Sequence, residues 1–551
     1  MKDYKQIAEI LFPNIDKTPE YYYDKYRDRN LPEGAEVTRT APSPTGYYHI
    51  GGLYGAIIDK FVAEKSGGIF YLRLEDTDQK REIEEAGQIA YEALMYFGVT
   101  PTEGYRGSNL LEEGEYGPYV QSKRGEIYQA FAKYLVSIGR AFPCFCDKAE
   151  DKSEILERRE KELEEGNLIE HDKCRDLSVE EIANNVKSGK PFAIRLLSQG
   201  DPNKSIKIKD EIKGEREIRE NGKDIVILKS NGIPPYALAH LVDDTLMHTT
   251  TVIRGEEWYQ SLASHIELFE AFGLKHPKYA HTPVICKLDG GNKRKISKRK
   301  DLEASVDYYL KEGIPSTSVK DYLMNIANSN FENWRKQNKE ADISEFEFSL
   351  NKMGISGALF DIVKLLDVSK TVISGYSAER VYEEALEWAE KYDEELAKML
   401  TENKEYSLKV LGIERGNAKP RKDIAKWSEI KNSIEYMYDD IFDKNTNYEF
   451  QKITDKEEIK DILKSYLEKH FDINDDKQTW FDRMKDLAEE KGYSREVKEY
   501  KQNPESYKGH VGDISTVLRV ALTGRCNTPD LYEIMQILGK DAITRRINKL
   551  I

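Results

Sequence analysis

Arg39-Thr-Ala-Pro-Ser-Pro-Thr-Gly-Tyr-Tyr-His-Ile-Gly-Gly-Leu53 is the stretch that decides the fold. Its order of residue types predicts a strand end, a proline-interrupted turn and a helix opening at His49-Ile-Gly-Gly52. Glycines at such a place let a ligand approach the backbone closely, and the N–H groups of a helix start favour anions such as phosphate. Far downstream a short basic loop, Lys295-Ile-Ser-Lys-Arg299, places several cations where they could reach the same phosphates. Either segment alone is weak, since an isolated His-Ile-Gly-Gly is usually an ordinary helix start and a short basic run a solvated one. Together, in this order, they point to a nucleotide held between a helix start and a cationic loop.

Reading outward, residues from Val37 to about Gly98 alternate strand, loop and helix. Leu53, Ile57, Phe61 and Val62 recur at helical spacing over Gly52–Lys65. Ile69–Leu74 is a short apolar run suited to a buried parallel strand, with Glu75-Asp-Thr-Asp78 at its carboxyl end, where open α/β sheets carry ligand-contacting groups. Ile83–Met95 predicts an amphipathic helix. Residues from about 140 to 228 read as an insertion holding Cys144-Phe-Cys146, a charged helical stretch over 152–166, and strands around Phe192–Leu197 and Asp224–Leu228. Sheet-like segments are expected at Val226–Ser230, Ala239–Asp244 and Thr250–Arg254, followed by a helix over Gln260–Phe272. Beyond Lys300 the pattern is helical, with Lys/Glu-rich stretches at Glu379–Leu400 and Ser465–Lys491 that read as solvated faces. The Tyr-rich preface, residues 1–36, is expected to pack across the first domain or to serve as a partner-binding arm.

Bulk properties bound the answer. A chain of 551 residues exceeds the ~250–300 at which single cores stop growing, so several domains are expected. The net charge of −15 argues against a general nucleic-acid coating protein but leaves room for a local basic groove. Five cysteines imply a reducing compartment. No run approaches the ~20 apolar residues of a membrane span, and the N-terminal residues lack a signal-peptide core. A cytoplasmic protein with no membrane partner, acting as a monomer, is expected.

Arg39-Thr-Ala-Pro-Ser-Pro-Thr-Gly46, His49-Ile-Gly-Gly52, Leu74-Glu-Asp-Thr-Asp78, Val242-Asp-Asp244, Ile253-Arg-Gly-Glu-Glu-Trp258 and Lys295-Ile-Ser-Lys-Arg299 occur in order. Together they resemble the glutamyl-tRNA synthetase family of class I aminoacyl-tRNA synthetases, and Leu518–Gly524 and Ile537–Lys540 resemble that family's helical anticodon domain. The resemblance implies a multidomain α/β chain. Its expected parts are an N-terminal extension (1–36), a Rossmann-like parallel-sheet catalytic domain in two halves (37–138 and 230–300), an inserted acceptor-end-binding domain (139–229), a stem-contact helical domain (301–372) and an all-α anticodon-binding region (373–551). It further implies an aminoacyl-tRNA ligase that uses ATP with Mg2+ to convert L-glutamate to its adenylate and transfers it to tRNA(Glu). Such chemistry needs positioning and charge neutralisation more than a protein nucleophile.

Residue roles follow from the same resemblance. His49 and Lys298 are the expected catalytic contacts to phosphate. His49, Gly51, Gly52, Glu257, Ile285, Lys295, Ser297, Lys298 and Arg299 are expected around ATP. Arg39, Ser43, Glu75, Tyr236, His240 and Arg254 are expected around glutamate, because a carboxylate side chain calls for a fixed guanidinium. His240 stands where the family often has an amide or a similar small polar residue. Arg415 and Arg421 fall roughly where the family reads the anticodon. Cys144, Cys146 and Cys174, with His171 as the fourth donor, resemble a structural zinc site. The family's own fourth ligand would fall at Asp176, and the other reading of the thiols is reduced, partly buried hydrophobes. The rivals are a glutaminyl-tRNA synthetase, an enzyme that also charges tRNA(Gln), the shorter glutamyl-queuosine tRNA-modifying relative and a catalytically retired tRNA-binding scaffold.

Overall fold

Strand β1 (Val37–Thr40) is buried along its whole length and pairs in parallel with β2 (Ile69–Leu72), Val37 opposite Ile69. The computed structural model describes residues 2–44, 46–77, 85–107, 111–146, 172–297, 299–445 and 447–551. β3 (Glu103–Tyr105) adds to β2 in parallel and β4 (Glu112–Glu113) closes the edge antiparallel. The connection from β1 to β2 is the helix Ile50–Lys65, whose Leu53, Ile57, Ile58 and Phe61 are buried. This is the βαβ unit that parallel pairing requires.

The expected insertion folds in two ways. β5 (Ala141–Cys144), β6 (Ala193–Leu196) and β9 (Val226–Leu228) form a small antiparallel sheet. Between them, β7 (Ser205–Asp210) and β8 (Gly214–Arg219) form a hairpin that joins a different sheet, of order β10-β11-β7-β8, with β10 at Thr251–Gly255 and β11 at Lys278–Thr282. β10 and β11 are parallel, and Thr250 donates its N–H to the Val37 carbonyl, so the start of β10 lies against the free edge of β1. The hairpin was not expected, although Ile206-Lys-Ile-Lys209 carries the period-two alternation of a strand.

Ala239–Asp244, expected to be sheet-like, is instead part of the helix Tyr236–Leu246, which follows Pro235 at its N-cap. Leu238 to Asp244 are all buried, polar His240, Asp243 and Asp244 included, so hydrophobic periodicity cannot distinguish a strand from an interior helix here. The other expected helices form at Ala86–Tyr96 and Leu262–Ala271; residues 152–166 lie outside the described part. The preface packs inward, with Ile7, Tyr22 and Tyr26 in the same core as Phe131 and Leu241, and the Tyr26 hydroxyl donates to the Gly117 carbonyl at 2.7 Å. β12 (Ile285–Asp289) and β13 (Asn292–Lys295) form a hairpin with Gly290 and Gly291 at positive φ in the turn, and β14 (Ala358–Leu359) pairs with β12.

The chain divides into two compact units, residues 1–308 with 320–362 and residues 309–319 with 363–551. The second unit is helical and is built on two apolar cores, one around Val381, Leu400 and Trp427 and the other around Leu463, Met484 and Leu518. Its long charged stretches are interrupted. Asp393 ends Ala378–Tyr392 and caps Glu394–Glu402 by accepting from Leu396 N–H, the role short acidic side chains favour. Among the described residues no helix is long and apolar enough to cross a membrane.

Candidate active site

A cavity of about 410 Å³ opens at the carboxyl ends of β1, β2, β10 and β11, where parallel sheets place their ligands. Arg39, Ser43, His49, Gly51, Gly52, Glu75, Tyr236, Arg254, Glu257, Ile285 and Lys295 all line it. Sequence reasoning had singled out each of them. Asp59, Trp258 and Thr282 also line it and were missed. Trp258 stacks on Tyr236 with ring centroids 4.1 Å apart. Thr45 and Lys298 lie outside the described residues; Ser297 and Arg299 continue the loop beyond Lys295 and are not among the lining residues.

The helix start is organised by His49, whose Nδ1 accepts the Gly51 N–H at 2.9 Å. A Cβ on Gly51 would lie 3.1 Å from that nitrogen, and one on Gly52 would lie 3.0–3.3 Å from the Tyr48 ring. The glycines therefore make room for two rings beside the helix start as well as for a ligand. Glu257 and Lys295, on the cavity rim, pair at 3.2 Å.

Two buried guanidiniums meet at the other end. Arg39 Nη2 and Arg254 Nη1 both approach the Tyr236 hydroxyl, at 3.4 and 3.2 Å. With its lone pairs so engaged, that hydroxyl is left to donate its proton to a further acceptor. Arg39 is also paired with Asp244 at 3.2 Å, which outweighs the burial that would otherwise lower its pKa. Asp244 is shared with Arg73 at 2.8 Å, while Asp243 binds Arg124 at 2.6 Å and accepts from Tyr128 and Gln121. Glu75 accepts from Arg73 at 2.9 Å, and burial raises its pKa in spite of that partner. Arg254 differs. It is 7% exposed, and among the described residues no carboxylate lies in salt-bridge range of it. Its partners are Tyr236, His281 Nε2 at 3.1 Å and His265 Nδ1 at 3.3 Å.

His240 requires a correction. Expected at the substrate, it is fully buried behind Tyr236, on which it stacks, and does not line the cavity. Nδ1 bonds to Asp244 and Nε2 lies 3.0 Å from the Tyr279 hydroxyl. Burial, reinforced by Arg254 and Arg39, lowers its pKa to about 4 against the pull of Asp244, so it is a neutral framework residue. Arg415 and Arg421 are also engaged internally. Arg415 donates to the Leu411 and Ile373 carbonyls at 2.7 and 2.8 Å, and burial with Arg421 lowers its pKa to about 10. Arg421 forms a two-pronged pair with Asp423 at 2.7 and 2.6 Å.

Cys144, Cys146, Cys174 and Asp172 place four ligand atoms within 4.8 Å of one another. The Cys146 and Cys174 sulfurs are 3.5 Å apart, and Cys144 Sγ is 3.3 Å from an Asp172 oxygen. His171 lies outside the described residues. Asp172, missed in the sequence, caps the short turn Lys173–Asp176 through Cys174 N–H and is steadied by Arg195 Nε at 3.2 Å. Burial and the crowding of neighbouring groups raise the pKa of Cys144 and Cys174, a cost that a bound cation would reverse. Three thiols and a carboxylate at this spacing suit a tetrahedral zinc ion.

The parallel-sheet crevice sets a histidine-capped helix start on one side and paired guanidiniums on the other, as the resemblance to class I tRNA synthetases implies. Comparison with known families agrees: tRNA synthetases class I (E and Q), catalytic domain, matches residues 36–361, and the anticodon binding domain matches 380–551. The chain belongs to the class I (E and Q) tRNA synthetase family. It is 49% identical to the glutamate–tRNA ligase of Clostridium perfringens strain SM101, across 100% of this chain and 99% of that protein. It is 41% identical to the glutamate–tRNA ligase of Sorangium cellulosum, across 97% and 98%. The solved glutamate-tRNA synthetase of Elizabethkingia anophelis superposes with a TM-score of 0.72 at 25% identity, covering 94% of this chain and 99% of that one.

Proposed function

We propose that the chain is a glutamate–tRNA ligase. The observation that carries this reading is Arg254, a buried guanidinium with no carboxylate in salt-bridge range among the described residues, facing Tyr236 and Arg39 at the cavity. A buried cation left unpaired is costly, and a substrate carboxylate removes the cost. Glutamine, with a neutral amide, leaves that charge uncompensated. Full-length similarity to glutamate–tRNA ligases supports the same choice.

In this reading Arg39, Arg254 and Tyr236 hold the side-chain carboxylate, Ser43 assists and Glu75 receives the α-ammonium. The α-carboxylate attacks the α-phosphate of ATP, releasing pyrophosphate. The terminal adenosine of tRNA(Glu) then takes the acyl group. His49, Gly51 and Gly52 at the helix start bind phosphate, Glu257 and the Ile285 backbone bind adenosine, and Lys295, Ser297, Lys298 and Arg299 neutralise the triphosphate as charge moves toward pyrophosphate. Mg2+ arrives with the triphosphate, since that ion is commonly bound through substrate phosphates. Cys144, Cys146, Cys174 and Asp172 would hold a structural zinc ion that fixes the fold of the inserted segment. The helical region over 373–551 binds the anticodon, and the enzyme acts as a cytoplasmic monomer.

Aminoacylation of purified tRNA(Glu) and tRNA(Gln) with radiolabelled glutamate and glutamine is the test. Charging with glutamate that is lost in Lys298→Ala supports the proposal; charging with glutamine alone would sink it. Charging of tRNA(Gln) with glutamate would extend the substrate range. Metal analysis of the wild type against Cys174→Ser tests the zinc site, with one equivalent of zinc lost as the expected result.

A further inference from the structure

Arg254 must be held still to read a carboxylate, yet any carboxylate that held it would also spend its charge. The structure solves this with neutral nitrogen. Arg254 Nε donates to His281 Nε2 at 3.1 Å and Nη2 to His265 Nδ1 at 3.3 Å, while its guanidinium lies over the Tyr279 ring, 4.9 Å from the centroid. A guanidinium has only donors, so both ring nitrogens must be unprotonated to accept. For His281 the tautomer is set from behind. Its Nδ1 lies 2.6 Å from Asp210 Oδ2, and Asp210 is itself fixed by the N–H groups of Ile212 and Lys213 at 3.0 and 2.8 Å. With the proton on Nδ1, the lone pair on Nε2 faces Arg254.

We propose that His265 and His281 are positioning residues that hold Arg254 by neutral acceptors, so that its full charge is kept for the substrate's side-chain carboxylate. The role rests on the reading of this cavity as the glutamate site. It adds that acid-over-amide selection is set by two residues that do not line the cavity. Burial lowers the pKa of both rings, with Arg254 pushing the same way, while Asp210 pulls His281 back. The groups facing them are Asp210 and Lys213 beside β7, Arg254 on β10, Glu256 just after β10, Tyr279 on β11, Tyr259 before the helix Leu262–Ala271, and Tyr236 and His240 on the helix Tyr236–Leu246. Protonating either ring would turn an acceptor into a cation against Arg254.

The test compares His265→Glu with His265→Gln in tRNA-dependent ATP–pyrophosphate exchange, using L-glutamate and L-glutamine as substrates. The glutamate variant puts a carboxylate on Arg254; the glutamine variant keeps a neutral acceptor. For His265→Glu the KM for glutamate should rise by about tenfold or more, with kcat changed less, and the preference for glutamate over glutamine should narrow by a similar factor. His265→Gln should stay within about threefold of wild type. Thermal melting of both variants separates loss of fold from loss of charge, and His281→Gln provides the second neutral replacement. In wild type the KM for glutamate should hold through neutrality and rise only at pH below the ordinary imidazole range, because both rings protonate with depressed pKa values, and the rise should be less steep in His265→Gln. An unchanged glutamate KM and preference in folded His265→Glu would overturn the role of the cage. A wild-type enzyme that did not prefer glutamate would overturn the glutamate site itself.

Discussion

The two guanidiniums that meet at Tyr236 are held by opposite means. On the Arg39 side lies a fully ionic framework in which Arg39, Arg73 and Arg124 share Asp243 and Asp244, and every cation has a carboxylate. On the Arg254 side the partners are two imidazoles and a phenol. Both arrangements keep an arginine rigid in a dry interior. Only in the first does each arginine have a carboxylate partner among the described residues. The difference separates a guanidinium tied to a carboxylate from one tied to neutral acceptors, a distinction that exposure alone does not make, since both side chains are almost fully buried.

The sharpest way to break this comparison is to remove the shared anion. Asp244→Ala strands Arg39 without a carboxylate, leaves Arg73 to Glu75 and Asp243, and should cost about 3–5 kcal/mol of stability in denaturant unfolding; a loss below 1 kcal/mol would make the network ornamental. Arg254→Gln should do the reverse. Its unfolding free energy should hold or rise, while the KM for glutamate increases by about a hundredfold, close to 2.7 kcal/mol.

Acid should also act on the Arg39 side, through His240, whose Nδ1 bonds to Asp244. His240 has a pKa of about 4 in the fold and about 6.5 in an unfolded chain, so below neutrality the unfolded state binds more protons than the native one. Its contribution is complete above pH 6.5 and is lost as pH falls toward 4, at up to about 1.4 kcal/mol per pH unit. Melting temperature should fall over that window, and His240→Asn should flatten the slope; a melting temperature that held steady from pH 6.5 to 4 would refute it. The smallest effect belongs to the rim. The Lys295–Glu257 pair is half exposed, so Lys295→Ala should move stability by less than about 0.5 kcal/mol, while the KM for ATP rises severalfold in pyrophosphate exchange.

Much of the site was legible because its residues sit at the ends of strands and at a helix start, where local sequence carries the geometry. Arg39, His49, Gly51 and Glu75 fall at two strand ends and one helix start, within motifs that resemble a known family. The cage was not legible. Asp210, Arg254, His265 and His281 come from four separate segments, and nothing local relates them. His240 misled because its place in the chain says where the helix runs and not that Tyr236 stands between it and the cavity. The helix around it misled as well, since burial on all sides erases the helical period. Asp172 was hidden for the opposite reason: it lies two residues from Cys174, where the eye prefers a histidine as the metal donor. In the helical unit, Asp393 ends one helix and starts the next within a Lys/Glu-rich stretch, and only the capping contact marks the break.

The hairpin β7–β8 has a bearing on how such enzymes can be recombined. It arrives with the inserted segment, yet it extends the β10–β11 sheet and delivers Asp210 to His281. A chimera that exchanged residues 139–229 for the corresponding piece of a relative would therefore trade a strand of the host sheet and one support of the His281–Arg254 contact. The graft that respects the molecule leaves residues 205–219 with the host and moves only the small sheet of β5, β6 and β9.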